Sequence, residues 1–356
     1  MARQGTATNL IDFRVRTSRA KRPKHAATHP TAIPRITIGD AFESFATAKT
    51  SAGKSDRTID SYAEAARLLV AFLERNDRSI ALEDLTRRDI EEFLIDYRAN
   101  GADPNNPRRA SEASVAVRFR SLRAFLKFMS SPSEIEGTGM DGNPMEGMEQ
   151  PKPEDNPPAI ISADDLKRLL ASIGRDQSFA GRRDLAIVSL FLDTGARLGE
   201  ITGIQLEDLN LSQNELMVGN HDEHRGATGK TGPRILPFNP TTRRNLDRYL
   251  RLRRGHHDGD LPDLWLGRKG RLEARGITGL LKRRATAVGL DVHPHQLRHT
   301  WLDAYLTDGG NEGDAQRLGG WKTPYMVTQV YARHTAAKRA RQAARLHSLM
   351  DKLTRG

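Results

Sequence analysis

LAIVSLFLDTGARLGE, residues 185–200, decides how the chain is read. Its first half, Leu185 to Leu192, is a run of eight residues that is apolar except for Ser189. That run suits one buried helix and falls far short of the ~20 residues that span a bilayer. Thr194-Gly195 punctuates it with a tight turn, Arg197 follows at once, and Glu200 stands one helical step further on. A guanidinium fixed just beyond the end of a buried helix is a charge held ready for something.

Outward from this stretch the pattern stays helical. Ser162 and Asp165 cap a helix through Leu166, Leu169 and Leu170. On the N-terminal side, Tyr62, Ala66, Leu69 and Leu73 recur at steps of three and four, and Thr86 with Asp89 caps a helix through Ile90, Phe93, Leu94 and Tyr97. In a third helix Val115, Phe119, Leu122, Leu126 and Met129 form one stripe, with Arg120, Arg123 and Lys127 turned away from it. Such a helix packs inward and can face a phosphate backbone outward. Strand signals are few: Glu215 to Val218, Arg234 to Phe238 and, more weakly, Leu264 to Leu266. Glycines 226, 229 and 232 make the first two a hairpin with Lys230 in its turn. The fold class expected is mainly α in two domains, with a small antiparallel β-sheet in the second. Residues 131–161 carry six prolines and four glycines and read as the linker between them.

The 356 residues accommodate two domains, and 56 basic against 45 acidic side chains give a net charge of +11. Residues 1–35 hold eight basic groups, among them Arg14, Arg16, Arg19, Lys21, Arg22 and Lys24, against Asp12 alone. The segment is expected to be a disordered basic arm at +7, which leaves only +4 for everything else. A nearly balanced body grips a polyanion only through charges sorted onto one face. With no cysteine, disulfides, thiolate metal sites and thiol nucleophiles are excluded, which suits a reducing cytoplasm. His221-Asp222-Glu223-His224 reads as exposed polar loop, so no metal and no cofactor is expected.

Two further patterns join Arg197. His295 and Arg298 lie at i and i+3 on one helical face, and Gly319-Gly320-Trp321 is followed ten residues later by Tyr331. Together they offer two planar forks for phosphate oxygens, further donors and one oxygen nucleophile.

The order Arg197, Lys230, His295, Arg298, Trp321, Tyr331 resembles that of the tyrosine site-specific recombinase (phage integrase) family. The Thr-Gly-x-Arg-x-x-Glu, His-x-Leu-Arg-His-Thr and Gly-Gly-Trp…Tyr boxes carry the resemblance, which covers residues 36–356. It implies a helical core-binding (SAM-like) domain over 36–130 and an α-helical catalytic domain over 162–356 that ends in a further helix. Trp321 stands where the family usually has histidine, keeping one N–H donor. The spacing to Tyr331 is one residue longer than the family pattern, which leaves Tyr325 as a second candidate nucleophile.

The resemblance also implies the roles. Tyr331 attacks the phosphodiester to give a 3′-phosphotyrosyl ester and a free 5′-hydroxyl. Arg197 and Arg298 hold the oxygens, His295 is base or phosphate-positioning group, Lys230 is the acid for the leaving oxygen, and Glu200 orients an arginine or the histidine. The partner implied is double-stranded DNA at recombination sites, with a free monomer assembling into a tetramer on DNA and room for an accessory DNA-bending factor. The place implied is the nucleoid. Two alternatives stay open: a type IB topoisomerase-like enzyme that nicks and reseals, and a non-catalytic DNA-binding accessory protein.

Overall fold

The computed structural model describes residues 35–103, 105–135, 138–153, 159–220, 232–325 and 327–328. The chain divides into two units between Asp155 and Asn156.

The first unit is built from α1 (Ile38–Ser51), α2 (Asp56–Arg75), α3 (Arg87–Asn100) and α4 (Glu112–Met129). Thr37 and Thr86 open α1 and α3 with capping boxes closed by Asp40 and Asp89, satisfying backbone N–H groups that a first helical turn leaves without partners. The expected stripe of α4 is the one it buries: Val115, Phe119, Leu122, Leu126 and Met129 are at most 2% exposed. Phe45 meets Phe125 edge-on at 5.5 Å and Phe128 at the same distance, so aromatic packing locks α1 onto α4.

Two expectations shift in this unit. The segment after α4 is not all spacer, because Met140, Met145 and Met148 are buried in the first unit's core. These flexible side chains fill the gaps that a proline- and glycine-rich backbone leaves. Arg35, counted with the basic arm, is instead ion-paired to Glu83 at 2.6 Å and Asp84 at 3.1 Å. Arg14, Arg16, Arg19, Lys21, Arg22 and Lys24 lie outside the described residues.

The second unit holds α5 (Ala163–Arg175), α6 (Phe179–Thr194), α7 (Leu198–Gly203), α8 (Pro240–Arg253), α9 (Ala274–Thr286), α10 (Pro294–Thr307) and α11 (Glu312–Gly319). The run that opened the reading is the middle of α6, whose residues from Arg183 to Phe191 are all buried. A helix buried on every side must be central, and α5, α8 and α10 all pack on it. An antiparallel sheet in the order β1 (Leu209–Asn210), β2 (Glu215–Val218), β3 (Arg234–Pro237) supplies the remaining wall, with Leu216 opposite Leu236. Leu264 to Leu266 does not join the sheet. Its backbone is satisfied elsewhere: the Leu264 N–H donates to Ile204 O at 2.9 Å, its carbonyl accepts from the Tyr249 hydroxyl at 2.9 Å, and the Leu266 carbonyl accepts from Arg183 at 2.8 Å. Among the described residues no helix is long and apolar enough to cross a membrane.

Candidate active site

The site forms where α6 ends. Gly195 caps that helix in the left-handed conformation at φ 60°, and a Cβ there would lie 2.1 Å from the indole of Trp301 on α10. Only glycine meets both demands, so the Thr-Gly turn brings α6 and α10 into backbone-to-ring contact. The turn delivers Arg197 to the N-cap of α7, with Glu200 at the third helical position. Glu200 reaches back to accept the Arg197 backbone N–H at 2.7 Å and Arg197 Nη1 at 2.9 Å. Arg197 Nη2 donates to the Gly320 carbonyl at 2.5 Å, yet the side chain keeps a third of its surface in solvent.

From α10, the helical step between His295 and Arg298 sends them to the same neighbourhood with unlike exposure. Arg298 is 2% exposed; its Nη1 donates to Gly195 O and its Nη2 to Gly319 O, both at 2.6 Å. Its guanidinium lies 3.9 Å from the ring centroid of Trp321, which in turn stacks with Trp301 at 6.5 Å. Burial, and then the charge of Arg197, depress the Arg298 pKa. His295 is exposed, and its pKa is lowered by partial desolvation and by the charges of Arg298, His293 and Arg197. Its ring is 4.2 Å from that of His299, which burial and then His295 push down to about 4. Both imidazoles are therefore neutral near pH 7, and a neutral ring can accept a proton.

Glu200 has a second cationic partner, Arg234, at the start of β3. Arg234 Nη1 and Nη2 donate to its two oxygens, each at 2.9 Å, and Arg234 Nε donates to Leu318 O at 2.8 Å. Although burial works to raise the Glu200 pKa, the bonds and charge of Arg234, with those of Arg197, hold it at about 2. Gly320 makes this approach feasible: it lies at φ 64°, and a Cβ would sit 2.9 Å from the Arg234 guanidinium and 3.1 Å from Arg197 Nη1. Three guanidiniums around one carboxylate leave a local charge of +2, and Arg197 and His295 are the exposed members. Such a site can hold an oxyanion in fixed geometry with no reorganisation at the moment of reaction.

Of the residues singled out in the sequence, Arg197, Glu200, His295, Arg298 and Trp321 come together here. Trp321 serves as a lid on the face of Arg298, a contact its spacing did not foreshadow. Lys230, Tyr331 and His221 to His224 lie outside the described residues, and Tyr325 is 63% exposed. Arg234 was missed. Its signal lay in the strand alternation: Ile235 points out at 52% exposure and Leu236 is buried, so Arg234 shares the inward face and needs an acid there. In the first unit Arg120 and Lys127 are exposed, but Arg123 is spent internally, lying 4.4 Å over the Phe119 ring and donating to the Met148 carbonyl. Among the described residues, His256, His257 and Asp258 bring metal-ligand types within 4.8 Å of one another, and no arginine-site residue belongs to that group.

Comparison with known proteins adds to this geometry. The chain matches the phage integrase family over residues 160–338 and the N-terminal SAM-like domain of phage integrases over residues 42–128. It is 30% identical over 233 residues to the tyrosine recombinase XerC of Syntrophus aciditrophicus, covering 63% of this chain and 70% of that one. Among solved structures it resembles the Tn1549 transposon integrase in complex with transposon right end DNA (TM-score 0.66, 18% identity, 88% of this chain and 100% of that one). It also resembles a lambda integrase tetramer bound to a Holliday junction (TM-score 0.62, 17% identity, 83% and 78%). At these identities the solved structures bear on the fold alone.

Proposed function

The chain belongs to the phage integrase family, and from that premise we propose that it is a site-specific DNA recombinase working through a 3′-phosphotyrosyl intermediate. The observation that carries this reading is the meeting of Arg197, His295 and Arg298, from sequence boxes far apart, at one electropositive corner of the second unit. A phosphodiester repels nucleophiles, and its pentacoordinate transition state gathers more negative charge. Arg197 and Arg298 supply fixed donors for that charge. The Tyr331 phenol, ordinarily near pKa ~10, gives its proton to neutral His295 as its oxygen attacks phosphorus. The bond from phosphorus to the 5′ oxygen breaks, and Lys230 protonates the leaving oxygen. The ester formed keeps the energy of the bond it replaced, so attack by another 5′-hydroxyl rejoins DNA without ATP. Because His295 is depressed below 6.5, the acid limb of the cleavage profile should fall below that value.

The partner is double-stranded DNA carrying recombination sites, gripped by the basic arm and by Arg120 and Lys127. Exchange between two duplexes requires four strand cleavages, which calls for a tetramer on DNA assembled from free monomers through the segment after Tyr331. An accessory DNA-bending factor and residence at the nucleoid belong to the same reading.

The test is trapping. A nicked suicide duplex, drawn from a randomised pool by the full-length chain, should yield a covalent adduct whose peptide maps to Tyr331, with excess EDTA present. Tyr331→Phe should bind the duplex and give no adduct. An adduct at Tyr325 would reassign the nucleophile, and strand relaxation by isolated monomers without exchange would favour a nick-and-reseal enzyme. Binding without any adduct would leave a DNA-binding protein only.

A further inference from the structure

Three successive carbonyls at the end of α11 each accept from a different guanidinium: Leu318 from Arg234 at 2.8 Å, Gly319 from Arg298 at 2.6 Å and Gly320 from Arg197 at 2.5 Å. The last turn of any helix leaves carbonyls without helical partners, and here arginines fill the vacancy. Arg197 and Arg298 have a reason to be there, since both belong to the phosphate-binding set proposed above. Arg234 does not. Its side chain is 13% exposed, and all three of its nitrogens donate within the protein, two to Glu200 and one to Leu318.

We infer that Arg234 is a positioning residue that acts through Glu200 and Leu318, keeping Arg197 directed at the scissile phosphate and the end of α11 in register with it. This rests on the recombinase reading. Without Arg234, the buried Glu200 carboxylate would lose two charged donors and lean more heavily on Arg197, which already donates to it at 2.9 Å. The +1 that Arg197, Arg234 and Glu200 carry together would fall to zero, and Arg197 would be drawn onto the acid and away from a phosphate. The Leu318 carbonyl would lose its donor as well, loosening the helix end that leads into Trp321 and onward to Tyr331. A lysine cannot replace this fork, because it has one nitrogen where Arg234 uses three in fixed directions.

The experiment compares Arg234→Gln, Arg234→Lys, Glu200→Gln and the double variant Glu200→Gln/Arg234→Gln in the full-length chain, on the selected suicide duplex. Single-turnover cleavage by Arg234→Gln should fall on the order of 100-fold, the usual consequence of a misdirected catalytic group. Duplex affinity should stay within about threefold, and Arg234→Lys should recover only part of the rate. In the double variant the acid's charge is gone, so its loss should be smaller than the product of the two single losses. Independently of DNA, hydrogen exchange across residues 312–321 should speed up in Arg234→Gln while α5 and α8 keep wild-type rates.

Full cleavage by Arg234→Gln would overturn the inference. So would a rate loss matched by an equal loss of affinity, which would make Arg234 a DNA contact, and so would strictly multiplicative single and double losses. If Arg234→Gln does not fold, the lysine and double variants carry the decision. If the wild-type chain forms no adduct, the recombinase reading fails on its own. The exchange measurement then still decides whether Arg234 latches α11.

Discussion

The two units each carry a set of arginines, and the sets differ in what holds them. In the second unit Arg298 is 2% exposed and Arg234 13%, and with Arg197 they are fixed by a carboxylate and by backbone carbonyls. On α4 of the first unit, Arg120 and Lys127 stand in solvent, while Arg123 is tied to Phe119 and Met148. Held charge has lost its rotamer freedom during folding and acts on a transition state whose geometry matches it. Free charge attracts any polyanion, weakly and with strong salt dependence. The first arrangement suits chemistry and the second suits grip.

The sharpest way to break that contrast is to keep charge and remove shape. Arg197→Lys and Arg298→Lys should each lower single-turnover cleavage by roughly 10²–10³-fold, the range seen when one fixed transition-state donor is lost. They should differ in stability. Arg298→Lys leaves one of two buried carbonyls, Gly195 or Gly319, without its donor and removes the planar partner of Trp321, so its Tm should drop clearly. Arg197→Lys, a third exposed, should unfold close to wild type. Equal cleavage by either variant and the parent chain would make that guanidinium structural only.

A smaller effect lies in the acid that binds the cluster. Glu200 has an ordinary pKa of 4.5 when unfolded and about 2 when folded, so between those values the unfolded chain holds more protons. The stability it contributes is full above pH 4.5 and is lost as pH falls through 2, and the shift corresponds to on the order of 3 kcal/mol. Denaturant unfolding of the parent chain and of Glu200→Gln should therefore give stabilities whose pH dependence separates between pH 5 and 2, the parent losing more. Parallel curves through that window would show that Glu200 titrates normally and that the cluster is not held by its charge.

How much of this was legible beforehand follows the same division. Helices with a one-sided apolar stripe, such as α3, α4 and α5, announce themselves through spacing and, for α3 and α5, through the caps Thr86 and Ser162, because those signals are local. Arg197, His295 and Arg298 were legible through their boxes. The hold of Arg234, Arg298 and Arg197 on the carbonyls of residues 318, 319 and 320 was not, since backbone acceptors leave no mark in a sequence. Arg234 escaped because its reason for being there, Glu200, is 34 positions away. Arg253 shows why burial alone would mislead: it is 3% exposed and donates to the carbonyls of Gly259, Leu261, Asp263 and Leu264, with no carboxylate among the described residues bonded to it and no part in the site. The linker was overread for a related reason, as glycine and proline mark irregular backbone and cannot say whether the methionines among them are buried.

The smallest expected effect tests the other side of the comparison. Arg120 and Lys127 share the exposed side of α4, and a duplex phosphate neutralised by either would release counterions. Replacing both with glutamine should weaken duplex binding a few-fold at moderate salt and reduce the slope of log affinity against log salt by roughly one per contact removed. Cleavage of bound duplex should not change, because neither residue is among the groups proposed to act on the scissile phosphate. Arg123→Gln should behave in the opposite way. Its guanidinium is already committed to the Phe119 ring and the Met148 carbonyl, so its loss should lower stability by about 1–2 kcal/mol and leave the salt slope alone. The measurement is a salt titration of affinity beside a denaturant curve for each variant. If Arg123→Gln changes the slope as much as its neighbours do, that side chain leaves its internal partners when DNA arrives, and a held arginine in the first unit is no different in kind from a free one.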